Sequence, residues 1–261
     1  MEGRSTLSLA TGAIAALLVA VGCQRPPGPP QFGTVSQPYA AALLGQYHIV
    51  GESVHGKPIM ARVFGQGRDV VLVLGGIHGD EPAGTVLVRR LAKHLERNLD
   101  VANGRTIILV PAANPDGLAT GSRYNARGVD LNRNFQAANR KNNRTSGPRA
   151  LSEPETRAIK EILREHAPER IVSIHQPLAC IDYDGPAWPV AARMAQYCDL
   201  PIRKLGAKPG SLGSYAGVTL GIPTITFELR AADSQLDEQA LWRKYGKALL
   251  AAVMYPKPPP P

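Results

Sequence analysis

The chain has 261 residues and a mass of 27.9 kDa, a length that suits one large domain or two small ones and leaves room for a substantial core. With 44% hydrophobic and 20% charged residues, its composition excludes a disordered, collagen-like or disulfide-scaffold chain and gives no sign of several membrane spans. Thirty Lys and Arg against 21 Asp and Glu leave a net charge of +9, which favours acidic partners (nucleic acid, anionic lipid or carboxylate-rich small molecules) without choosing among them.

In chain order, the first feature is a targeting segment. Arg4 precedes an apolar core of nine residues at 13–21 (AIAALLVAV), whereas a spanning helix needs about 20 and a signal-peptide core roughly 7–15. The segment closes on Ala20-Val21-Gly22-Cys23, which resembles the lipobox of bacterial lipoproteins. Residues 1–22 therefore read as an export signal, cut before Cys23, whose thiol then carries lipid. That predicts an exported, periplasmic, lipid-anchored protein, or a cytoplasmic one if the segment is not a working signal. Residues 23–39 read as a Pro-rich tether, 40–255 as the folded catalytic domain, and 256–261 (PKPPPP) as an unstructured tail. Inside the domain only Cys180 and Cys198 remain, either paired or as two buried thiols.

The body alternates strand-like and helix-like segments. Residues 70–75 (VVLVLG), 105–111 (RTIILVP), 170–174 (RIVSI) and 223–227 (PTITF) are short, nearly continuous apolar runs, as in strands buried on both faces. Helical patterns fall at 85–97, at 153–166 with Glu155, Lys160 and Arg164 facing solvent, and at 236–254. The polar, basic stretch 136–152 reads as an insertion loop. The fold class is α/β: one domain with a mixed twisted β-sheet and helices on both faces.

Chemistry-bearing residues sit just past those strands. His78 and Glu81 lie in GGIHGDEPAG, His175 follows the strand ending at Ile174, and Glu228 follows Phe227. Ligands of open α/β sheets bind beyond the carboxyl ends of the strands. Two His and one Glu form a ligand set for a catalytic zinc with an open position, and a further carboxylate can serve as base. An HxxE pair alone is weak, since His166 and Glu169 form a second copy around Pro168 that reads as a solvated helix end.

Asn114-Pro115-Asp116-Gly117 is a turn directly after a strand, and Gly128-Val129-Asp130-Leu131-Asn132-Arg133-Asn134-Phe135 follows. With GGIHGDEP, SIHQP and TFELR, this ordered set resembles the zinc carboxypeptidase family over about residues 70–230. The resemblance implies one zinc ion per chain on His78, Glu81 and His175. It implies Glu228 as the general base and later acid, Arg123 as the group that polarises the scissile carbonyl, and Asn132 with Arg133 as the grip on the substrate's terminal carboxylate. The residue types suit those tasks, because a planar guanidinium pairs with a carboxylate in a bidentate way that Lys cannot copy. Arg127 and Arg149 read as solvated surface.

One departure from the family concerns a mobile Tyr that digestive carboxypeptidases carry shortly before a Gly-Ser pair. Residues 201–209 (PIRKLGAKP), ahead of Gly210-Ser211, hold no Tyr, and Tyr215 lies after the pair and takes no catalytic role. The strings HQPLACIDYDGP and PGSLGSYAG resemble a bacterial branch of the family, the murein peptide amidases, which implies a murein peptide substrate cut at its γ-D-glutamyl–meso-diaminopimelate bond. Alternatives are a general carboxypeptidase, a succinylglutamate desuccinylase or aspartoacylase-like deacylase, and a zinc-free peptidoglycan-binding lipoprotein, for which Glu228 would be superfluous. Nucleic acid is excluded as a partner: aromatics are 5% and the clearest basic cluster (Arg140, Lys141, Arg144) is one loop. The sequence leaves the oligomeric state open.

Overall fold

The run Asp69–Leu74 (DVVLVL) offers no polar face to water, so as a strand it has to be covered on both sides. It takes the middle place of a seven-stranded sheet. In chain order the elements are β1 (Tyr47–Glu52), β2 (Pro58–Phe64), β3 (Asp69–Leu74), α1 (Pro82–Arg97), β4 (Arg105–Val110), α2 (Pro115–Thr120), α3 (Pro154–His166), β5 (Arg170–His175), β6 (Leu178–Asp184), α4 (Trp188–Ala195), β7 (Thr224–Arg230) and α5 (Glu238–Met254). The computed structural model describes Met1, residues 45–257 and Pro259. Apart from Met1, the expected signal segment and the Pro-rich tether lie outside the described residues, as does most of the tail. Residues 45–257 fall within a single unit spanning Gln31–Pro261.

The sheet order is β1-β2-β4-β3-β5-β7-β6. Its four central strands, β4, β3, β5 and β7, are parallel; β2 and β6 run antiparallel to them at the two sides, and β1 pairs antiparallel with β2. The crossover after β3 leads to β4 on one side, whereas β5 enters on the other, so the order reverses between β3 and β5. Such a reversal opens a crevice beyond the carboxyl ends of the strands.

Helices cover both faces, as the sequence predicts. On one, Leu87, Leu91 and Leu95 of α1, Met194 of α4 and Leu249 of α5 pack over Val71, Val73, Val172 and Phe227. On the other, Ile159, Ile162 and Leu163 of α3 pack with Leu131, Phe135 and Tyr215 over Leu72, Leu74 and Ile108. Burying each such side chain contributes about 1.5–3 kcal/mol. At the opposite end from the crevice, buried Arg170 bonds Asp69 Oδ1 at 2.6 Å and the Ala252 carbonyl at 2.7 Å, which ties the end of α5 to the sheet. Among the described residues no helix is long and apolar enough to cross a membrane.

Several expectations are corrected. Glu155 does not face solvent: it is fully buried at the start of α3, where Oε1 accepts from the Val54 N–H at 3.1 Å and Oε2 from Asn125 Nδ2 at 3.2 Å. An acidic residue in a first helical turn can be drawn inward when donors wait there, and helical spacing alone does not show them. His166 is half-buried rather than solvated. Cys180 and Cys198 are both free thiols, the first buried and the second half-buried. Pro256 and Lys257 remain part of the fold, since the Lys257 N–H closes a turn on the Met254 carbonyl at 2.9 Å. The stretch 136–152 is held down by Asn134, whose Nδ2 donates to the Ser146 and Arg149 carbonyls at 2.8 and 3.1 Å. Arg127 and Arg149 are exposed, as expected.

Candidate active site

The three parallel strands that flank the topological reversal end at one crevice, and each delivers a functional side chain there. After β3, the segment Gly75–Glu81 turns back across the top of the sheet. Gly79 passes so close to α2 that a Cβ on it would lie 2.0 Å from the Gly117 carbonyl carbon, so no other residue fits there without moving backbone. Pro82 starts α1 at a position where its missing N–H costs nothing, and Glu81 precedes it as the N-cap without using its side chain to cap the helix. The Glu81 carboxylate is therefore available to the crevice. His175 ends β5 and pairs in register with Glu228 of β7, so the backbone ladder sets these two side by side.

The three candidate ligands converge. His78 Nδ1 is 2.8 Å from Glu81 Oε1, His175 Nδ1 is 2.8 Å from Glu81 Oε2, and the two Nδ1 atoms are 3.2 Å apart. All three residues are buried, and their ligand atoms lie within 4.8 Å of one another. The remaining ring nitrogens are already engaged: His78 Nε2 with Asp130 Oδ1 at 2.9 Å and His175 Nε2 with Ser173 Oγ at 2.9 Å. A proton on each Nε2 leaves both Nδ1 lone pairs facing the same point together with a carboxylate, a donor set that suits zinc.

The buried carboxylates and imidazoles shift one another's pKa values. Burial pushes the Glu81 carboxyl up, but hydrogen bonds from His175 and His78 outweigh it and hold the group below the usual range. Burial likewise lowers His78, and the bonds to Asp130 and Glu81 outweigh it and raise it. Glu228 differs: burial dominates and raises its pKa, while His175 and the Leu178 N–H (3.3 Å from Oε2) act in the opposite direction.

Arg123 reaches the same place. Its Nη1 is 3.0 Å from Glu81 Oε1 and its Nε 3.3 Å from Asp130 Oδ2, with the side chain about one-third exposed at 35%. Asn132 sits in a single 3₁₀ turn, Leu131–Arg133, capped by Asp130, whose carboxylate accepts from the Asn132 N–H at 2.9 Å. The Asn132 Oδ1 accepts from the Leu212 N–H at 2.9 Å, and the Arg133 guanidinium bonds the Asn132 carbonyl. All seven residues singled out in the sequence, His78, Glu81, Arg123, Asn132, Arg133, His175 and Glu228, line one cavity of about 200 Å³. Tyr215 is buried, its ring stacked on Phe135.

Sequence reasoning missed Asp130, which touches His78, Arg123 and the Asn132 backbone at once. Its position inside GVDLNRN was the available signal. It also missed Gln176, whose Oε1 accepts from the Ala83 N–H at 3.2 Å and whose own N–H donates to Glu81 Oε2 at 3.1 Å. Asp182 and Asp184 of β6, which also line the cavity, went unremarked within HQPLACIDYDGP.

Residues 43–183 match the zinc carboxypeptidase family. The chain belongs to the zinc carboxypeptidase family. Like the other zinc carboxypeptidases it is a zinc-dependent hydrolase, and its His–Glu–His cluster is compatible with that metal. It is 36% identical over 179 residues to murein peptide amidase A of Escherichia coli, covering 62% of this chain and 71% of that protein. It is 30% identical over 207 residues to murein peptide amidase A of Vibrio campbellii, covering 71% and 80%. Among solved structures, murein-tripeptide amidase from Escherichia coli O157 superposes with a TM-score of 0.65 at 29% identity, over 86% of this chain and 99% of that one. Carboxypeptidase A from Helicoverpa armigera shares the fold, with a TM-score of 0.69 at 24% identity over 81% and 69%.

Proposed function

We propose that this enzyme releases meso-diaminopimelate from murein tripeptide by hydrolysing the γ-D-glutamyl–meso-diaminopimelate amide. The observation that carries the reading is the meeting, in one cavity, of a His–Glu–His ligand set, the adjacent Glu228 carboxylate and an Arg–Asn pair suited to a terminal carboxylate. The names of the relatives from Escherichia coli and Vibrio campbellii support the murein peptide as substrate.

In this reading the roles divide as follows. Held by His78, Glu81 and His175, zinc supplies Lewis acidity toward water and the scissile carbonyl. Arg133 takes the terminal carboxylate of the substrate in a bidentate grip. Asn132 has its carboxamide oxygen committed to Leu212, which leaves its NH₂ to donate to the same carboxylate. Arg123 waits on Glu81 and Asp130 and offers guanidinium donors where negative charge grows on the carbonyl oxygen. Glu228, its pKa raised by burial, accepts a proton from the attacking water and returns it to the leaving nitrogen, and a base is best poised when its pKa lies near the working pH. Asp130 is a positioning residue that orients His78 and Arg123 together.

The protein acts outside the cytoplasm, anchored by lipid on Cys23, and so meets murein fragments before import. Membrane fractionation of the wild type beside Cys23→Ser tests this: a soluble wild-type protein would overturn it.

The enzyme itself is tested by mass spectrometry with L-Ala-γ-D-Glu-meso-diaminopimelate and an α-linked control bearing the same C-terminal residue. Release of diaminopimelate from the γ-linked peptide alone, lost on chelation, is the expected result. Release from the α-linked control instead would make the protein a general carboxypeptidase.

A further inference from the structure

The chain passes from β5 to β6 in two residues, Gln176 and Pro177. Because β7 lies between those two strands in the sheet, the connection crosses the end of β7, where Gln176, Pro177 and Leu178 line the cavity. Pro177 has no N–H, so the backbone donors left in this short stretch belong to Gln176 and Leu178. Each is given to a carboxylate of the site: the Gln176 N–H to Glu81 Oε2 at 3.1 Å and the Leu178 N–H to Glu228 Oε2 at 3.3 Å. A metal ligand and the base are thus held from one turn of chain.

What fixes that turn is the Gln176 side chain, which is buried. Its Oε1 accepts from the Ala83 N–H at 3.2 Å, and its Nε2 donates to the Arg230 carbonyl at 2.9 Å. Ala83 lies two positions past Glu81, in the first turn of α1, and Arg230 ends β7 two positions past Glu228. The carboxamide therefore clasps the backbone just beyond each of the two carboxylate-bearing residues. The N–H groups of a first helical turn have no partner within the helix, and Glu81, though it is the N-cap, does not serve them with its own side chain. Gln176 does so from another strand, which leaves Glu81 to face the crevice. A carboxamide supplies an acceptor and a donor from one planar group, as this double contact requires; an ionised carboxylate only accepts, and an apolar chain does neither.

We infer that Gln176 is a positioning residue whose side chain sets the separation between the metal ligand Glu81 and the base Glu228. Without its carboxamide the Ala83 N–H is left unmet. It then competes for the Glu81 carboxylate, because N-cap side chains accept from the N–H groups of that turn. The connection that carries the Leu178 N–H also loses its tie to the end of β7, and the base is free to shift. Displacing a reacting group by 1 Å can cost about 10²-fold in rate. The inference rests on Glu228 as the base of the proposed function, and it holds whichever peptide is cut.

The test is Gln176→Met, unbranched and of similar length, which removes both side-chain bonds and keeps the backbone N–H. Zinc affinity, read by competition with a chromophoric chelator, is expected to weaken about 10-fold. With zinc saturating, kcat on the γ-linked or α-linked peptide that the wild type cuts is expected to fall about 10–100-fold. KM should change by less than about threefold, since Asn132 and Arg133 are untouched. Gln176→Asn keeps the carboxamide on an arm too short for both partners and is expected to lose about 3–10-fold in kcat, so the test stands if the Met variant does not fold. A lower melting temperature with zinc affinity and kcat within threefold of the wild type would make Gln176 a structural residue only and overturn the inference. A change confined to KM would overturn it as well, by placing Gln176 against the substrate. If the wild type cuts neither peptide, the proposed function fails, and the zinc affinities of the variants decide the inference alone.

Discussion

Asp130 is the residue whose removal should tell most about how the site is held. Its carboxylate makes three contacts: Oδ1 to His78 Nε2 at 2.9 Å, Oδ1 to the Asn132 N–H at 2.9 Å, and Oδ2 to Arg123 Nε at 3.3 Å. Burial pushes its pKa up, and His78, Arg133 and Arg123 outweigh that and lower it, so it is an anion at neutral pH. Asp130→Asn keeps an oxygen for His78 and Asn132 but turns charge-assisted bonds into neutral ones, about half as strong, a loss of about 1–1.5 kcal/mol at His78. It also aims an NH₂ at Arg123. Asp130→Ala removes all three contacts and leaves buried donors unmet, costing about 2–3 kcal/mol. Zinc affinity, measured by competition with a chromophoric chelator, should therefore weaken about 10-fold in the Asn variant and 30–150-fold in the Ala variant. With zinc saturating, kcat should still fall about 10-fold, because Arg123 has lost its anchor. If the Ala variant binds zinc within threefold of the wild type and keeps its kcat, Asp130 does not orient the site and the reasoning is wrong.

Glu228→Gln should retain zinc and lose about 10²–10⁴ in kcat; a variant that kept its turnover would remove Glu228 from the role of base. The same group sets a pH limb. It must be ionised to accept a proton, and its pKa is raised above the ordinary 4.5, so kcat/KM should drop as the pH falls through a midpoint above that value. An acid limb at or below it would contradict the burial argument. Arg133→Lys should raise KM about 10–100-fold while kcat changes less than threefold, since the terminal carboxylate loses a bidentate partner that is present in ground and transition states alike. A fall confined to kcat would place Arg133 elsewhere in the chemistry. Gly79→Ala should lower the melting temperature by about 4 °C or more, at 2–4 °C per kcal/mol, because its Cβ would meet Gly117 backbone at 2.0 Å; an unchanged melt would show that the loop can yield.

The parallel core was legible because its strands are short, nearly continuous apolar runs: Asp69–Leu74, Arg105–Val110, Arg170–His175 and Thr224–Arg230 carry few polar residues in their interiors. β1 and β2 were not, since their residues alternate imperfectly and a register shift falls between Ile49 and Gly51. β6 was hidden by its two aspartates, which break the apolar run on the side that faces the cavity. The seven site residues were legible because each lies in a short string of fixed order, and the fold brings all of them to one cavity. Asp130 was not, because its importance depends on what lies across space: its partner His78 is 52 positions away. Glu155 was misjudged for the same reason, its partners being Val54 and Asn125.

The pairing of His175 with Glu228 on adjacent parallel strands separates two things that evolution can alter at different rates. Ligand and base are spaced by peptide hydrogen bonds in the middle of the sheet, where almost any shift would disturb many neighbours. Asp182 and Asp184, which also line the cavity, sit on the outermost strand, which has β7 on one side and, among the described residues, no further strand on the other. A substitution on that strand disturbs fewer backbone neighbours than one at His175 or Glu228, so that wall of the cavity can vary while the spacing of ligand and base stays fixed.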